Sequence, residues 1–319
     1  MTDDGLMSLS THEAELFEGA RGRLEAIAYR LLGSAGDAED AVQETFLRWH
    51  AVDRERIETP EAWLTKVLTN LCLNQLTSAR ARRETYVGQW LPEPVLAGNP
   101  MLGPAETAEQ RESVSLAMLT VMERLTPNER AVYVLREAFG YPYREIAEIL
   151  ELTESNCQQI YRRAAQHLGG RSRTEVDAVA ARRIAEEFLA AALSGETEPL
   201  VRLLTGDVVS VADGGGTVPA RRTPVVGAAE VARYLRNLFR PTGAKRAMVG
   251  ADLTFFAAVL NGDPAIVIEV GGRVYGALCL EMAPAGIAAL HVQVAPEKLA
   301  HLAGEWEAAG PHLPLAAKW

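Results

Sequence analysis

The spacing of apolar residues changes once along this chain, close to residue 173. Before that point apolar residues recur at every third or fourth position, the period of an α-helix, and after it they alternate or form short continuous runs, as in β-strands. A segment with the helical period does not fold stably as a strand, nor the reverse. The sequence therefore predicts an all-α part over 1–173 and a separate α+β domain over 174–319.

Helix start signals subdivide the all-α part. Ser10 with Glu13, and Thr126 with Glu129, each form a capping box, and Ser34 stands directly before a run rich in acidic residues. Each pattern predicts a helix N-terminus, because the side-chain oxygen accepts a hydrogen bond from a backbone N–H that has no partner inside the helix. We expect helices to begin at all three places.

The segment 84–103, "ETYVGQWLPEPVLAGNPMLG", interrupts the helical pattern with prolines and glycines. It is predicted to be a long linker, and linkers of this length are either disordered or functional. Trp90, Leu91 and Val95 are too apolar to stay in water. We therefore expect the run "WLPEP" to dock on another surface.

Two short helical runs, "YREIAEIL" and "ESNCQQIYRRAAQHL", are separated by a tight turn, the spacing of a helix-turn-helix. In the second run the pattern turns Cys157, Ile160, Tyr161, Ala164 and Leu168 inward and exposes Ser155, Asn156, Gln158, Gln159, Arg162, Arg163 and Gln166. Amide and guanidinium groups of this kind read base edges in the DNA major groove. The alternative is an ordinary solvated face of a surface helix.

This positive helix belongs to an acidic chain, whose formal net charge is −10. Residues 1–173 contribute −7 (19 basic and 26 acidic residues) and residues 174–319 contribute −3 (13 and 16). Nonspecific affinity for DNA comes from neutralising phosphates, so neither part binds DNA strongly through overall charge. Any DNA contact must be local or assisted by a partner.

Cysteine usage and hydropathy exclude several other classes. Cys72, Cys157 and Cys279 stand far apart and lack the close Cys and His spacing of a zinc site, so we expect reduced core thiols, no metal and no cofactor. The first fifteen residues are acidic, unlike a signal peptide, and no apolar run has the length of a membrane span. The sequence predicts a cytoplasmic protein with no membrane contact.

Three runs carry a resemblance to a known family: "DAEDAVQETFLRWH", "TPEAWLTKVLTNLCLNQL" and "LTPNERAVYVLREAFGYPYREIAEILELTESNCQQIYRRA". In this order they resemble the two conserved domains of extracytoplasmic-function sigma factors of bacterial RNA polymerase, over about residues 1–170. The resemblance implies that core RNA polymerase and promoter DNA are the partners, and that no catalytic residue is needed. Holding unstacked bases at an opened promoter suits aromatic and amide side chains with nearby cations.

The resemblance also assigns roles to residues of this chain. Docking on the polymerase clamp is implied for Asp37, Glu39, Asp40, Gln43, Glu44, Phe46 and Arg48. Opening and reading the minus-10 element is implied for Trp63, Lys66, Asn70, Asn74, Arg80, Arg82 and Arg83. Reading the minus-35 element is implied for Ser155, Asn156, Gln158, Gln159, Arg162 and Arg163. For Trp63 a place in the core is an equally good interpretation.

The second part begins with a helical run and continues with the strand-like runs "DVVSVAD", "ADLTFFAAVL", "AIVIEV", "VYGALCLEMA" and "IAALHVQV". Asn261-Gly262 and Gly271-Gly272 are favourable hairpin turns. With "PVVGAAEVARYLRNLF" as another helix, this pattern resembles the SnoaL-like or nuclear-transport-factor-2-like cone, with a curved antiparallel sheet. That fold hosts both enzymes and binding domains.

Sigma factors that carry such an extension, the sigma-J-like group, share "WLPEP", "DGGGK" and "NPDKL" motifs. This chain has the first intact, the second with Thr217 in place of lysine and Arg221 and Arg222 following, and the third as Ala295 to Leu299. The resemblance implies regulation in cis through contacts between these motifs. The residues involved would be Trp90, Leu91, Pro92, Asp213, Gly214, Gly215, Gly216, Pro296, Glu297, Lys298 and Leu299.

A catalytic cone would need a buried acid or base, for which Asp213, Asp252, Glu269, Glu281 and His291 are the candidates. We favour a non-enzymatic sigma factor with a regulatory cone, in which a small ligand is an open question. The alternatives are a ligand-sensing helix-turn-helix regulator and, more weakly, an enzyme with a DNA-binding appendage. The expected domains are 1–85 (sigma region 2), 86–105 (linker), 106–173 (sigma region 4) and 174–319 (cone).

Overall fold

The structure is a computed structural model, and it describes residues 11–83, 86–103, 107–168, 176–240, 250 and 253–317. Contacts between Cα atoms group the chain into two units. The helical unit comprises 1–82, 99–113 and 121–169, and the sheet unit comprises 83–98, 114–120 and 170–319. Most of the linker and a short segment after it thus belong with the sheet, although they lie between the two helical regions in sequence.

Helices make up the described part of the first unit. In chain order they are α1 (Thr11–Leu32), α2 (Ala35–Ala51), α3 (Pro60–Arg83), α4 (Ala108–Glu112), α5 (Leu116–Met122, which also enters the sheet unit), α6 (Pro127–Glu137), α7 (Tyr143–Leu150) and α8 (Glu154–Leu168), with 3-10 turns at Arg54–Arg56 and Pro100–Leu102. Among the described helices, none has the length and apolarity that crossing a bilayer takes.

The local start signals act as predicted where the structure describes them. Ser34 Oγ accepts a hydrogen bond from Asp37 N at 3.1 Å, and Thr126 and Glu129 form both bonds of a capping box. The capping box predicted at Ser10 lies outside the described residues. Two of the three predicted helix starts are therefore confirmed in their chemistry.

Two buried arginines lie in the core of the helical unit. Arg30 Nε donates to Ser113 Oγ at 2.8 Å and its Nη2 to Leu102 O at 2.6 Å. Arg130 Nε donates to Arg30 O at 3.0 Å, and Arg130 also pairs with Glu123. Burial lowers the pKa of Arg30 to about 10 and that of Arg130 to about 9, the cost of removing a cation from water. These bonds join α1 to the segment 99–113 and to α6.

The sheet unit contains a seven-stranded sheet in the order β2-β1-β6-β5-β4-β3-β7. Its strands are β1 (Leu204–Asp213), β2 (Val225–Val226), β3 (Leu253–Leu260), β4 (Asp263–Val270), β5 (Arg273–Ala283), β6 (Gly286–Gln293) and β7 (Pro314–Ala317). Its helices are α9 (Ala178–Leu193), α10 (Glu198–Leu203), α11 (Ala228–Phe239) and α12 (Pro296–Ala308).

The predicted all-antiparallel sheet is wrong at one pair, because β1 and β6 run parallel. A parallel neighbour requires a long crossover connection, and here α11 and four further strands lie between the two. The predicted hairpins are confirmed: Asn261 and Gly262 have φ of 52° and 76°, and Gly271 and Gly272 have 56° and 77°. A two-residue type I′ turn needs positive φ at both positions.

The sheet is covered on both faces. On one face, here the α9–α11 face, side chains such as Phe188, Leu235 and Leu280 form the larger core. On the other, the α12 face, Leu302 and Trp306 pack on β3, β4 and β5. Because strand side chains alternate in direction, neighbouring residues of one strand serve different faces. Helix α12 was not predicted from the sequence; only its first turn was recognised, as part of a motif.

Replacing Arg30 by alanine should lower the free energy of unfolding by about 2–4 kcal/mol, because Ser113 and the carbonyl oxygens it binds lose their donor in a buried site. Urea denaturation of the full chain measures this. The control is Arg56→Ala, whose side chain is 86% exposed and which should change stability by less than about 0.5 kcal/mol. Equal effects of the two changes would contradict a structural role for Arg30.

Candidate nucleic-acid interface and linker anchor

Helix α8 presents the polar face that the sequence predicts. Glu151, at φ 56°, closes the tight turn after α7, and Thr153 Oγ1 accepts a hydrogen bond from Asn156 N at 3.2 Å at the start of α8. The predicted surface residues are all solvent-accessible: Ser155, Gln159, Arg162 and Arg163 are exposed, and Asn156 and Gln158 are half-buried. The arrangement is that of a helix-turn-helix with an accessible second helix.

Tyr161, predicted to face the core, is only half-buried. Its hydroxyl donates a hydrogen bond to Glu137, and its ring stacks on Tyr133 at 6.2 Å between centroids. Burial raises the pKa of this hydroxyl, and the bond to Glu137 adds to the effect. A phenol at a core boundary keeps its polar end in a hydrogen bond, which the apolar period of the helix does not reveal.

On α3, the residues predicted to read DNA lie at the edge of the core. Trp63 is half-buried and packs against Trp49 with 5.6 Å between ring centroids, so it belongs partly to the core and partly to the surface. Lys66 forms an ion pair with Glu151 at 3.1 Å. Asn70 is half-buried and Asn74 exposed. The side chains of Arg80, Arg82 and Arg83 lie outside what the structure describes.

The outer face of α2 is polar and mostly accessible. Glu39, Asp40, Gln43 and Arg48 are exposed, and Asp37, Glu44 and Phe46 are half-buried. The Phe46 ring meets Phe17 of α1 edge-on, at 4.9 Å between centroids. Part of this face borders a groove of about 390 Å³ between α1 and α2, lined by Arg21, Glu25, Glu39, Gln43 and Phe46. An acidic, accessible groove of this kind suits a basic partner.

The linker docks on the sheet unit. Val95 is fully buried, its N–H donates to Asn261 Oδ1 at 3.0 Å, and its carbonyl accepts from Asn261 N at 3.0 Å. Asn261 Nδ2 also donates to Val114 O at 2.8 Å, which joins the segment after the linker to the same turn. Leu96 makes a β-bridge with Leu260. The docking predicted for the apolar "WLPEP" run thus occurs, and its surface is the sheet.

The centre of this contact is a buried carboxylate at the end of β1. Asp213 has no solvent exposure. Its Oδ1 accepts from Tyr86 Oη at 2.6 Å and from Gly215 N at 2.9 Å, and its Oδ2 accepts from Leu91 N at 2.8 Å. Burial raises the pKa of Tyr86, and the bond to Asp213 raises it further, so the phenol remains protonated and donates.

Lys298, in the first turn of α12, neutralises this carboxylate. Its Nζ lies 2.6 Å from Asp213 Oδ2 and also donates to Leu91 O at 2.8 Å. The same ammonium lies 4.3 Å from the ring centroid of Trp90 and 4.7 Å from that of Tyr86, within the range of cation–π attraction. We call Tyr86, Trp90, Leu91, Asp213 and Lys298 the linker anchor.

Glycines after Asp213 let the chain turn within this crowded space. A Cβ on Gly214 would lie 2.0 Å from Val218 O, and one on Gly215 would lie 2.3 Å from Glu297 Oε1. Gly215 and Gly216 also have φ of 65° and 75°, a region that other residues rarely adopt. The "DGGG" run is therefore a tight turn against the start of α12.

The remaining residues of the predicted contact also lie here. Pro92 is buried, and its carbonyl accepts a hydrogen bond from Gln293 Nε2 at 3.5 Å. Pro296 is exposed at the start of α12, and Leu299 is buried in the α12-face core. The contacts of Tyr86, Gln293 and Asn261 with the linker or the anchor were not predicted from the sequence. Tyr86 lies only four residues before Trp90, and an aromatic residue so close to "WLPEP" was the available signal.

Of the acids and the histidine considered as catalytic bases, Asp213 is held in the ion pair with Lys298. Glu269 accepts a hydrogen bond from the Trp306 indole at 2.8 Å. Strand pairing places Glu281 and His291 on the α12 face. Asp252 lies outside the described residues. Among the described residues there is also no cluster of three or more His, Cys, Asp or Glu side chains that could hold a metal ion.

Comparisons with known proteins agree with this arrangement. Two family models match the chain: Sigma-70 region 2 over residues 16–82 and Sigma-70, region 4 over residues 115–168. The chain is 36% identical over 266 residues to the ECF RNA polymerase sigma factor SigJ of Mycobacterium tuberculosis, covering 78% of this chain and 82% of that protein. It is 31% identical to the probable ECF RNA polymerase sigma factor SigI of the same species, covering 89% and 94%.

A solved structure is similar along nearly the whole chain. The crystal structure of the Mycobacterium tuberculosis extracytoplasmic function sigma factor SigJ superimposes with a TM-score of 0.69 at 30% identity, covering 90% of this chain and 98% of that one.

A double-mutant cycle should show that Asp213 and Lys298 act as a pair. Asp213→Ala leaves a buried ammonium without its counter-ion and should destabilise the sheet unit by about 3–5 kcal/mol, and Lys298→Met should cost a similar amount. The double variant should cost much less than the sum. Urea denaturation and hydrogen exchange at the Leu91 amide measure both effects. Strictly additive losses would contradict a direct pair.

Proposed function

Since this chain belongs to the extracytoplasmic-function sigma factors of bacterial RNA polymerase, which direct transcription initiation, we propose that its sheet unit controls that activity in cis through the linker anchor. The observation that supports this is the position of the docked segment. Leu91 lies between the region 2 match, which ends at residue 82, and the region 4 match, which begins at residue 115. Its backbone binds both members of a buried ion pair.

The physical basis of this control is the reach of the linker. A sigma factor must place one domain at the minus-10 element and the other at the minus-35 element of the same promoter. A flexible linker samples many end-to-end distances, whereas a segment fixed by backbone hydrogen bonds does not. Docking or release of 86–98 therefore changes which separations of the two DNA-binding regions are accessible.

The faces described above take the roles that the family assigns. In this proposal the acidic face of α2 docks on core RNA polymerase, the Trp63 and Lys66 face of α3 contacts the minus-10 element, and α8 contacts the minus-35 element. Regions 1–85 and 106–173 then act as the two sigma domains. The alternative of an ordinary ligand-sensing regulator does not explain the region 2 match, and we set it aside.

The control proposed for the anchor is tested by promoter-dependent transcription in vitro with core RNA polymerase. Asp213→Ala and Trp90→Ala release the linker and should change the initiation rate of the full-length protein. The matched control is Asp207→Ala, an exposed aspartate on the same strand, which should initiate like the wild type. If the two anchor variants also initiated like the wild type, cis control through the anchor would be wrong.

If α8 reads the minus-35 element, changing its arginines should weaken promoter binding to an extent that depends on the DNA sequence. Arg162→Ala or Arg163→Ala should weaken promoter binding by the polymerase holoenzyme by about 1–3 kcal/mol where the side chain contacts a base, and lower the salt dependence where it contacts phosphate. The control is Arg202→Ala in the sheet unit, with 71% of the side chain exposed. Binding to a promoter with a scrambled minus-35 element should be insensitive to a change at a base-reading arginine. If the double variant bound and used the promoter like the wild type, α8 would not be part of the DNA interface.

A further inference from the structure

A cavity of about 170 Å³ opens on the α9–α11 face of the sheet. Its lining comes from strands β1, β3, β4, β5 and β6, from α11 and from the segment after the glycine turn, and includes Ala212, Phe239, Phe255 and Val292. A concave space with a mostly apolar lining is the usual form of a small-molecule site. An engineered apolar cavity of about 150 Å³ takes up benzene, which sets the scale of an occupant.

The chemistry of the lining defines the occupant further. Among the described lining residues, the side chains are apolar apart from the single hydroxyl groups of Tyr234 and Tyr275. Burial raises the pKa of Tyr234, so its hydroxyl stays protonated and can donate a hydrogen bond. No cation is among the described lining residues, and Arg221, whose guanidinium lies 5.7 Å from the Tyr234 ring centroid, is exposed to solvent. A carboxylate or phosphate buried inside the cavity would therefore lack a buried counter-charge. The cavity therefore suits a small uncharged aromatic molecule with about one polar group.

The cavity and the linker anchor lie back to back on the same two strands. Ala212 lines the cavity, and the next residue, Asp213, holds the linker on the opposite face. On the adjacent strand Val292 lines the cavity, and the next residue, Gln293, binds the linker carbonyl of Pro92. Alternation of side chains along a strand produces this arrangement.

The segment 218–220 also connects them. It forms one wall of this cavity and also one wall of a second cavity, of about 160 Å³. The second cavity is lined as well by the linker residues Val87 and Gly88 and by the turn glycines Gly214 and Gly216. Val218 N donates to Gly214 O at 2.9 Å, so this segment is hydrogen-bonded to the glycine turn beside Asp213. A bound molecule that displaces 218–220 would therefore also displace the glycine turn at 214–216.

We propose that the cavity on the α9–α11 face is a binding site for a small, uncharged aromatic molecule, and that its occupancy is transmitted through 218–220 to the linker anchor. The binding site is independent of the function proposed above; only the consequence for transcription rests on it. The four described candidate bases, Asp213, Glu269, Glu281 and His291, are absent from the lining, so the site binds its occupant without converting it.

Binding is tested on the full-length protein with toluene, phenol and benzoate as probes, by calorimetry and ligand-observed NMR. We expect saturable binding of toluene and phenol at one site per chain, and no binding of benzoate. Val292→Phe fills the cavity and should abolish binding, as should Val294→Phe at a half-buried lining position that is less critical for folding. The matched control is Val267→Phe, which lies in the α12-face core and should leave binding intact in folded protein. No saturable toluene binding, or equal binding by the filled variants, would overturn the site.

Transmission is tested by amide hydrogen exchange with the cavity saturated by toluene. We expect exchange to change at 214–220 and at the Leu91 amide of the anchor, and to stay constant in α8. The Val292→Phe variant should show no toluene-dependent change. Saturation without any change at Leu91 would overturn the transmission. Because neither measurement uses transcription, failure of the proposed cis control would be detected separately.

Discussion

The buried ion pair between Asp213 and Lys298 is the contact on which the placement of the linker depends. Removing two charges from water costs more than their attraction returns unless hydrogen bonds satisfy what remains of each group. Here the linker supplies several of those bonds: the Leu91 N–H and the Tyr86 hydroxyl bind the carboxylate, and the Leu91 carbonyl binds the ammonium. The pair without the linker would be under-satisfied, and the linker without the pair would be held in register only by its contacts around Val95 and Leu96. An apolar patch of the same area would bury "WLPEP" equally well but would tolerate a shift along the chain, whereas this pair does not.

The linker anchor lies on one face of the sheet and does not interrupt the core on the other face. Both faces are covered, so each strand contributes alternately to the α9–α11 core and to the α12 core. At the ends of β1 and β6 this alternation separates apolar cavity residues from polar anchor residues by a single position. The parallel pairing of these two strands brings both of their carboxyl ends to one edge, where the glycine turn and the start of α12 follow directly. The anchor therefore consists of the last residue of one strand, the first turn of the helix after the other, and the linker between.

Features that depend on a few neighbouring residues could be predicted from the sequence. Ser34 and Thr126 cap helices, and Asn261-Gly262 makes a hairpin turn, because each outcome follows from local hydrogen bonds or local φ values. Docking of the linker was predictable from its apolar content, whereas its contacts with Asp213 and Lys298 were implied only by the motifs shared with the sigma-J-like group. Parallel pairing of β1 with β6 and the bonds from Asn261 to both sides of the linker join residues far apart in sequence, and no local pattern encodes them. The motif around Lys298 could be recognised in the sequence. The helix that carries Lys298, and the position of its ammonium beside Asp213, could not be predicted, because both depend on contacts distant in sequence.

The charge distribution explains how an acidic protein serves a DNA-directed function. The net charge is −10, and both parts of the chain are negative. Long-range attraction to free DNA is therefore weak, and the positive face of α8 acts only within about one Debye length, roughly 8 Å at physiological salt. Contact of α8 with DNA at that range requires something else to bring the two together. In the function proposed above the core polymerase provides this, because the acidic face of α2 would dock on a basic surface of it. In that proposal the same negative charge that weakens binding to free DNA favours assembly with the polymerase first, and promoter contact follows assembly.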